Sequence, residues 1–208
     1  MTNITVLTGD LIGSTDMSGE TIRDAMSVLQ AMAAAQASWT GRPGRFSRHR
    51  GDGWQVILPA PEFALRAVLS YAAALRMRDV SSYMALATGA YEGALPEDLN
   101  DATGPVFAAS GRLLEEMKSG KSKRISLTPS GPRAATLALA DHLSQGWTKA
   151  QAATILPMLD PAAKLSFTAL AKPLGKSRQA VSKALDGAGF NAVKRALAHY
   201  ESPEAQDD

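Results

Sequence analysis

The chain has 208 residues with no cysteine, 45% hydrophobic residues and a formal net charge of +2. The missing thiols exclude disulfides, thiolate metal ligands and cysteine nucleophiles together. The small net charge hides a division: residues 1–117 carry 9 Lys and Arg against 13 Asp and Glu, residues 118–200 carry 13 against 3, and residues 201–208 carry none against 4.

The opening stretch "MTNITVLTGD" has no basic start and no long apolar run, so neither a signal peptide nor a membrane span is expected, and the location expected is the cytoplasm. Ile4, Val6 and Leu7 in that stretch predict a buried strand ending at Asp10. From Ser18 to Trp39, Ile22, Met26, Leu29 and Met32 recur at helical spacing, with Ser18 or Thr21 as the cap. "GRPG" at 41–44 ends that helix, and "RFSRHR", "GDG" and "WQVILPA" predict strand, tight turn and strand. Trp54 belongs to the hairpin core, and His49, with no second histidine near it in sequence, is a strand residue.

Pro61 opens a second helix to Met77, with Phe63, Ala67, Leu69 and Ala73 for its buried side. "SSYMALATGAYEG" predicts a strand, "TGPVFAASGRLLEEMK" a third helix from Thr103, and "KRISLT" a last short strand. The order β-α-β-β-α-β-α-β predicts an α+β fold, a ferredoxin-like split βαβ sheet with its helices mainly on one face. This makes 1–129 one domain. Residues 130–200 are rich in Ala and Leu and predict short helices only, while 201–208 predict a disordered tail.

In such a sheet Asp10, at the end of the first strand, and Asp52, in the hairpin, converge at one end. Two hard oxygen ligands there suit Mg²⁺ or Mn²⁺, and Gly9, Gly13, Gly51 and Gly53 would let backbone amides approach phosphate oxygens.

"GDLIGST" resembles the "D-I-x-G-S-T" metal motif of class III nucleotidyl cyclases, and "RHRGDGW" resembles their second motif, "K-x-x-G-D". "DATGPVFAASGR", Asp101 to Arg112, matches the spacing of the family's "D-x-x-G-x-x-V-N-x-A-x-R", and "MALATG" falls where the family has "R-x-G-x-x-x-G". The pairing of "TGDLIGS" with "GDGWQ" is similar to the SatD-like branch, which joins such a domain to a C-terminal helix-turn-helix. The resemblance covers residues 3–128. It implies Asp10, Asp52 and the Leu11 backbone as ligands of Mg²⁺ or Mn²⁺, and Gly13, Arg48 and Asp101 as contacts to a purine nucleotide. It implies Arg112 as the catalytic residue that stabilises charge on the transferring phosphate. It also implies a homodimer, because cyclase sites of this class form between two subunits. The sequence departs from the pattern at Ala108, where the family has an asparagine, at Arg48 in place of lysine, and after Arg124, where no late triphosphate-binding lysine follows. An oriented hydrogen-bond donor is commonly worth two to three orders of magnitude in rate, roughly, so the domain is expected to be a slow cyclase or a degenerate one.

"SFTALAKPLGKSRQAVSKALDGAG", 166–189, places Ala171, Gly175, Val181 and Leu185 at helix-turn-helix spacing. Ser177 caps the second helix, whose outer face offers Ser177, Arg178, Gln179, Ser182 and Lys183 to double-stranded DNA. Thr148 and Gln151 form a capping box on a supporting helix, and Pro173 marks an early turn. Ala134, Leu137, Leu139 and Leu143 predict a connecting or dimerising helix. The expected function is a DNA-binding transcription regulator with a nucleotide- and metal-binding cyclase-like domain. An active adenylate or guanylate cyclase carrying a basic module, and a DNA-binding protein with a purely structural dimerisation domain, are the alternatives.

Overall fold

A computed structural model describes residues 1–42, 44–49, 51–120 and 123–202. Side-chain alternation along β1 (Thr2–Leu11) fixes the two faces of a sheet at whose centre it lies. With β2 (Arg45–Arg48), β3 (Gly53–Leu58), β4 (Ser82–Tyr91) and β5 (Ile125–Thr128) it forms a five-stranded sheet of order β2-β3-β1-β4-β5. All pairs are antiparallel except β4 with β5. The first four strands follow the split βαβ order, so the fold is a mixed α+β one.

Leu7 and Leu11 point to the face covered by α1 (Gly19–Thr40) and α2 (Ala64–Arg76), where they meet Leu29, Val68 and Tyr71. Ile4 and Val6 point to the other face and pack with Val106 and Phe107 of α3 (Pro105–Gly120). The expectation of helices mainly on one face is therefore corrected: α3 lies on the face opposite α1 and α2. The cause is the segment after β4. It runs out to the β2 edge, where the Leu99 backbone N–H donates to Ser47 Oγ at 2.8 Å and the Asn100 side chain donates to the Arg48 carbonyl at 3.2 Å. From that edge the chain returns across the open face as α3. A buried relay fastens it there: Gln55 donates to Thr8 Oγ1 at 2.9 Å, Thr8 and Ser110 hydroxyls lie 2.8 Å apart, and Ser110 donates to the Phe107 carbonyl.

After β5 the chain is helical: α4 (Pro132–Gln145), α5 (Lys149–Ile155), α6 (Phe167–Ala171), α7 (Arg178–Gly187) and α8 (Phe190–Tyr200). Ser18 caps α1, and Thr148 with Gln151 completes a capping box on α5. In α4, Leu137 is fully buried while Leu139 faces outward at 75% exposure. Leu137, Trp147, Ile155, Val181, Leu185 and Leu197 belong to the same apolar cluster as Leu7 and Leu29. The bridge is α2, in which 10 of 13 residues are buried, against the sheet on one side and the C-terminal helices on the other. Among the described residues no helix is long and apolar enough to cross a membrane.

A polar clamp seals that second interface. Arg66 on α2 donates to both carboxylate oxygens of Glu201, at 2.6 and 2.7 Å, and to the Leu159 carbonyl at 2.7 Å. Glu201 thus belongs to the structured body and not to the disordered tail expected from 201 onward; the rest of that expectation, at 203–208, lies outside the described residues, as do Pro43 and Arg50 of the expected turn and hairpin. The Arg66 and Glu201 side chains are only 12% and 18% exposed, so removing one partner strands a buried charge. Glu201→Ala is expected to cost about 3 kcal/mol, read as a lower midpoint in urea unfolding of the full chain.

Candidate functional site

The site end of the sheet is set by register. Asp10 pairs with Gly53, so Asp52 stands one residue beyond it, and the Leu11 backbone N–H reaches the Asp52 carbonyl at 3.3 Å. Asp10 and Asp52 are brought together there, and the Ser14 hydroxyl donates to Asp52 Oδ2. Leu11 itself is a core side chain, 2% exposed. Trp54 holds this end rigid. Its ring lies over Gly9, contacts Tyr71 and donates from Nε1 to Ser82 Oγ at 3.0 Å, while Ser82 Oγ lies 2.8 Å from the Asp10 carbonyl. Gly9 therefore serves packing, since a Cβ there would fall 2.2 Å from the indole. That is the opposite of the open approach expected of it.

A residue that sequence reasoning missed sits on the pair. Lys118, in the last turn of α3, places Nζ 2.8 Å from Asp10 Oδ2 and 3.9 Å from Glu115. Hydrogen bonding to Asp10 raises its pKa above the ordinary lysine value; burial opposes this, and the charges of Asp10, Glu115 and Asp52 reinforce it. With the folded value raised, its stabilisation is fully present below the unfolded lysine value, about 10.4, and fades only as pH climbs through the folded one. Lys118 thus carries its positive charge at neutral pH. The available signal was the four-residue row Ser110, Leu114, Lys118, in which Ser110 already faces β1 through Thr8.

The remaining expected residues distribute unevenly. Gly13 is left-handed, with φ of 75°, and leads into a single 3-10 turn, Ser14–Asp16. Arg48, at the end of β2, turns its guanidinium back onto the Gly51 carbonyl at 2.6 and 3.0 Å. Asp101 closes the 3-10 turn Leu99–Asp101, which the Asn100 contact holds beside Arg48. Next to it, the Asn100 backbone N–H, then the Ser47 and Asn100 side chains and the charge of His49, keep the Asp98 carboxyl below its ordinary range. Arg112 and Ala108 are exposed on α3, each two residues from sheet-facing Ser110 and so on the helix's outer side. The structure does not bring Arg112 to Asp10 and Asp52 of its own chain.

Two carboxylates are the right donors for a hard cation. Among the described residues, however, no group of three or more His, Asp or Glu side chains gathers to hold a metal, and the place of the cation beside Asp10 is taken by an ammonium. A divalent ion there would be repelled by that ammonium and would have to compete with it for Asp10. The residues present do not fit a divalent metal while the Lys118 pair holds.

At the other end of the chain, Ser166 and Ser177 cap α6 and α7, and Gly175, with φ of 61°, makes the turn between them. Pro173 lies in that turn, beyond the end of α6. Val181, Leu185 and Ala188 are buried; Ser177, Arg178, Gln179 and Lys183 are exposed and Ser182 half-buried. The Ser177 hydroxyl accepts from Ala180 N–H at 3.1 Å. At about 100° per residue, Arg178, Gln179, Ser182 and Lys183 span an arc of about 140° on one side of α7.

Two glycines of this site predict different costs. Gly13→Ala meets no atom within 4 Å but keeps the positive φ, for about 1 kcal/mol. Gly9→Ala drives a Cβ into Trp54 and is expected to cost about 3 kcal/mol or more. Urea unfolding should separate them, with Trp54→Leu relieving part of the Gly9→Ala loss in the double variant.

No family model matches the chain, and no curated protein does. Among solved structures it is similar to a bacterial light-regulated adenylyl cyclase, at 15% identity and a TM-score of 0.43, over 71% of this chain and 81% of that one. It is also similar to the guanylyl cyclase Cya2, at 21% identity and a TM-score of 0.37, over 57% of this chain and 70% of that one. Similarity at these values carries no argument about the fold or the chemistry of this chain.

Proposed function

We propose that the chain is a cytoplasmic, DNA-binding transcription regulator: α6, the Gly175 turn and α7 form a helix-turn-helix, and the sheet domain is a catalytically silent, cyclase-type body through which two copies associate. The observation that carries this reading is the outer arc of α7. Arg178, Gln179 and Lys183 stand exposed at the capped start of the second helix while Val181 and Leu185 seat its inner side. Arg and Lys suit phosphate and guanine, Gln suits adenine, and a helix N-terminus suits phosphate oxygen. The charge of 118–200, 13 basic against 3 acidic side chains, supports the same partner. A homodimer would present two such helices to two half-sites. Silence of the sheet domain is supported by Ala108, which has no donor to give, and by the ammonium on Asp10.

A second reading is favoured by the register that sets Asp52 next to Asp10 at the end of β1, with the left-handed Gly13 in the loop that follows. In it the sheet domain binds a purine nucleotide with Mg²⁺ or Mn²⁺ and so biases the DNA-bound state. It requires Lys118 to leave Asp10, and Arg112, on the outer side of α3, to serve the acid pair of a second copy. An active cyclase requires in addition an oriented donor where Ala108 stands.

The test is anisotropy titration of the full chain on random duplex DNA at about 50 mM and about 200 mM salt. Binding should weaken steeply with salt. Arg178→Ala and Lys183→Ala should each weaken it about fivefold or more and flatten the salt dependence, while Gln179→Ala alters sequence preference more than affinity. No binding at the lower salt sinks the proposal.

A further inference from the structure

Lys118 does more at the acid pair than fill a surface ion pair. It reaches the sheet from the last turn of α3, whose position is fixed two turns earlier by the buried Thr8–Ser110 contact. Its Nζ lies 2.8 Å from Asp10 Oδ2, and the Asp10 side chain is only 17% exposed. Asp52, the other acid, is answered separately by the Ser14 hydroxyl. Each carboxylate thus has its own neutral or cationic partner supplied by the chain, and each partner comes from a different element. The last-turn position also sets the ammonium where the carbonyl ends of α3 favour positive charge. Among the described residues, Glu115 is the one further acid in contact with the ammonium, at 3.9 Å and on the outer side of the helix.

We propose that Lys118 is a tethered stand-in for a divalent cation: its single ammonium charge pairs Asp10, leaves Asp52 to the Ser14 hydroxyl, and thereby excludes Mg²⁺ and Mn²⁺ from the acid pair. The sheet end is then complete without metal, and any anionic ligand that docks there meets an ammonium in place of a metal ion. The proposal stands independently of DNA binding, since it concerns only the sheet domain.

The test is Mn²⁺ binding by electron paramagnetic resonance on the full chain, comparing wild type, Lys118→Met, and Lys118→Met combined with Asp52→Asn. Wild type should leave millimolar-range Mn²⁺ free, Lys118→Met should gain at least about tenfold in Mn²⁺ affinity as two hard carboxylates become available, and the double variant should lose the gain. Mn²⁺ should also raise the melting temperature of Lys118→Met and not that of wild type. Equal binding by wild type and Lys118→Met overturns the proposal, and so does a folded Lys118→Met that binds no Mn²⁺. Should Lys118→Met not fold, Lys118→Gln takes its place in the same comparison; submillimolar Mn²⁺ binding by wild type overturns the proposal in either case.

Discussion

The contact on which the site end of the molecule depends is an indole lying flat over a glycine. Trp54 and Gly9 face each other across β1 and β3, and the ring can occupy that place only because the partner has no side chain. From there Nε1 reaches Ser82 on β4, so a single side chain ties three neighbouring strands at the level of Asp10. Because Tyr71 backs the ring from α2, the strand ends cannot drift relative to the helix layer either. A close-packed interior transmits such constraints with little give. The positions of Asp10, Asp52 and the hairpin turn are therefore consequences of hydrophobic packing more than of any polar contact among themselves.

On the opposite face the constraint is polar. The row Gln55, Thr8, Ser110 and the Phe107 carbonyl is a closed sequence of donors and acceptors, and leaving one of them unpaired in the interior would cost more than the bond itself yields. This row orients α3 so that its last turn arrives at Asp10. The sheet thus has an apolar lock on one side and a hydrogen-bonded one on the other, and the acid pair lies between the two.

Much of this was legible in the residues. Period-two and period-3.6 patterns located every strand and the long helices, and the caps at Ser18, Thr148 and Ser177 were visible because short polar side chains before apolar runs have a specific job to do. The placement of α3 was not legible. It depends on a loop from 92 to 104 whose route to the β2 edge rests on Ser47 and Asn100, two polar residues with no pattern around them. Lys118 was missed for a related reason: a lysine after "LLEEM" is the commonest kind of solvated helix end, and only the three-dimensional course of α3 sets it on Asp10. Gly9 was read as an opening for phosphate because a glycine's absence of a side chain looks the same in sequence whether a ligand or an indole fills the space. The outward face of α7 needs no long-range information, so the exposure of Arg178, Gln179 and Lys183 could be read from local spacing, while the half-burial of Ser182 could not.

The nearly complete burial of α2 has one more consequence. A helix that is apolar around most of its circumference has no solvent side to fall back on. If the polypeptide ended just after β5, the flank of α2 around Arg66 and Leu69 would become an open apolar slab with one unpaired guanidinium in it. Such a shortened product would be sticky, prone to pair with itself or with chaperones. The sheet and the helices that follow it share one apolar core and are accordingly expected to lose their structure together.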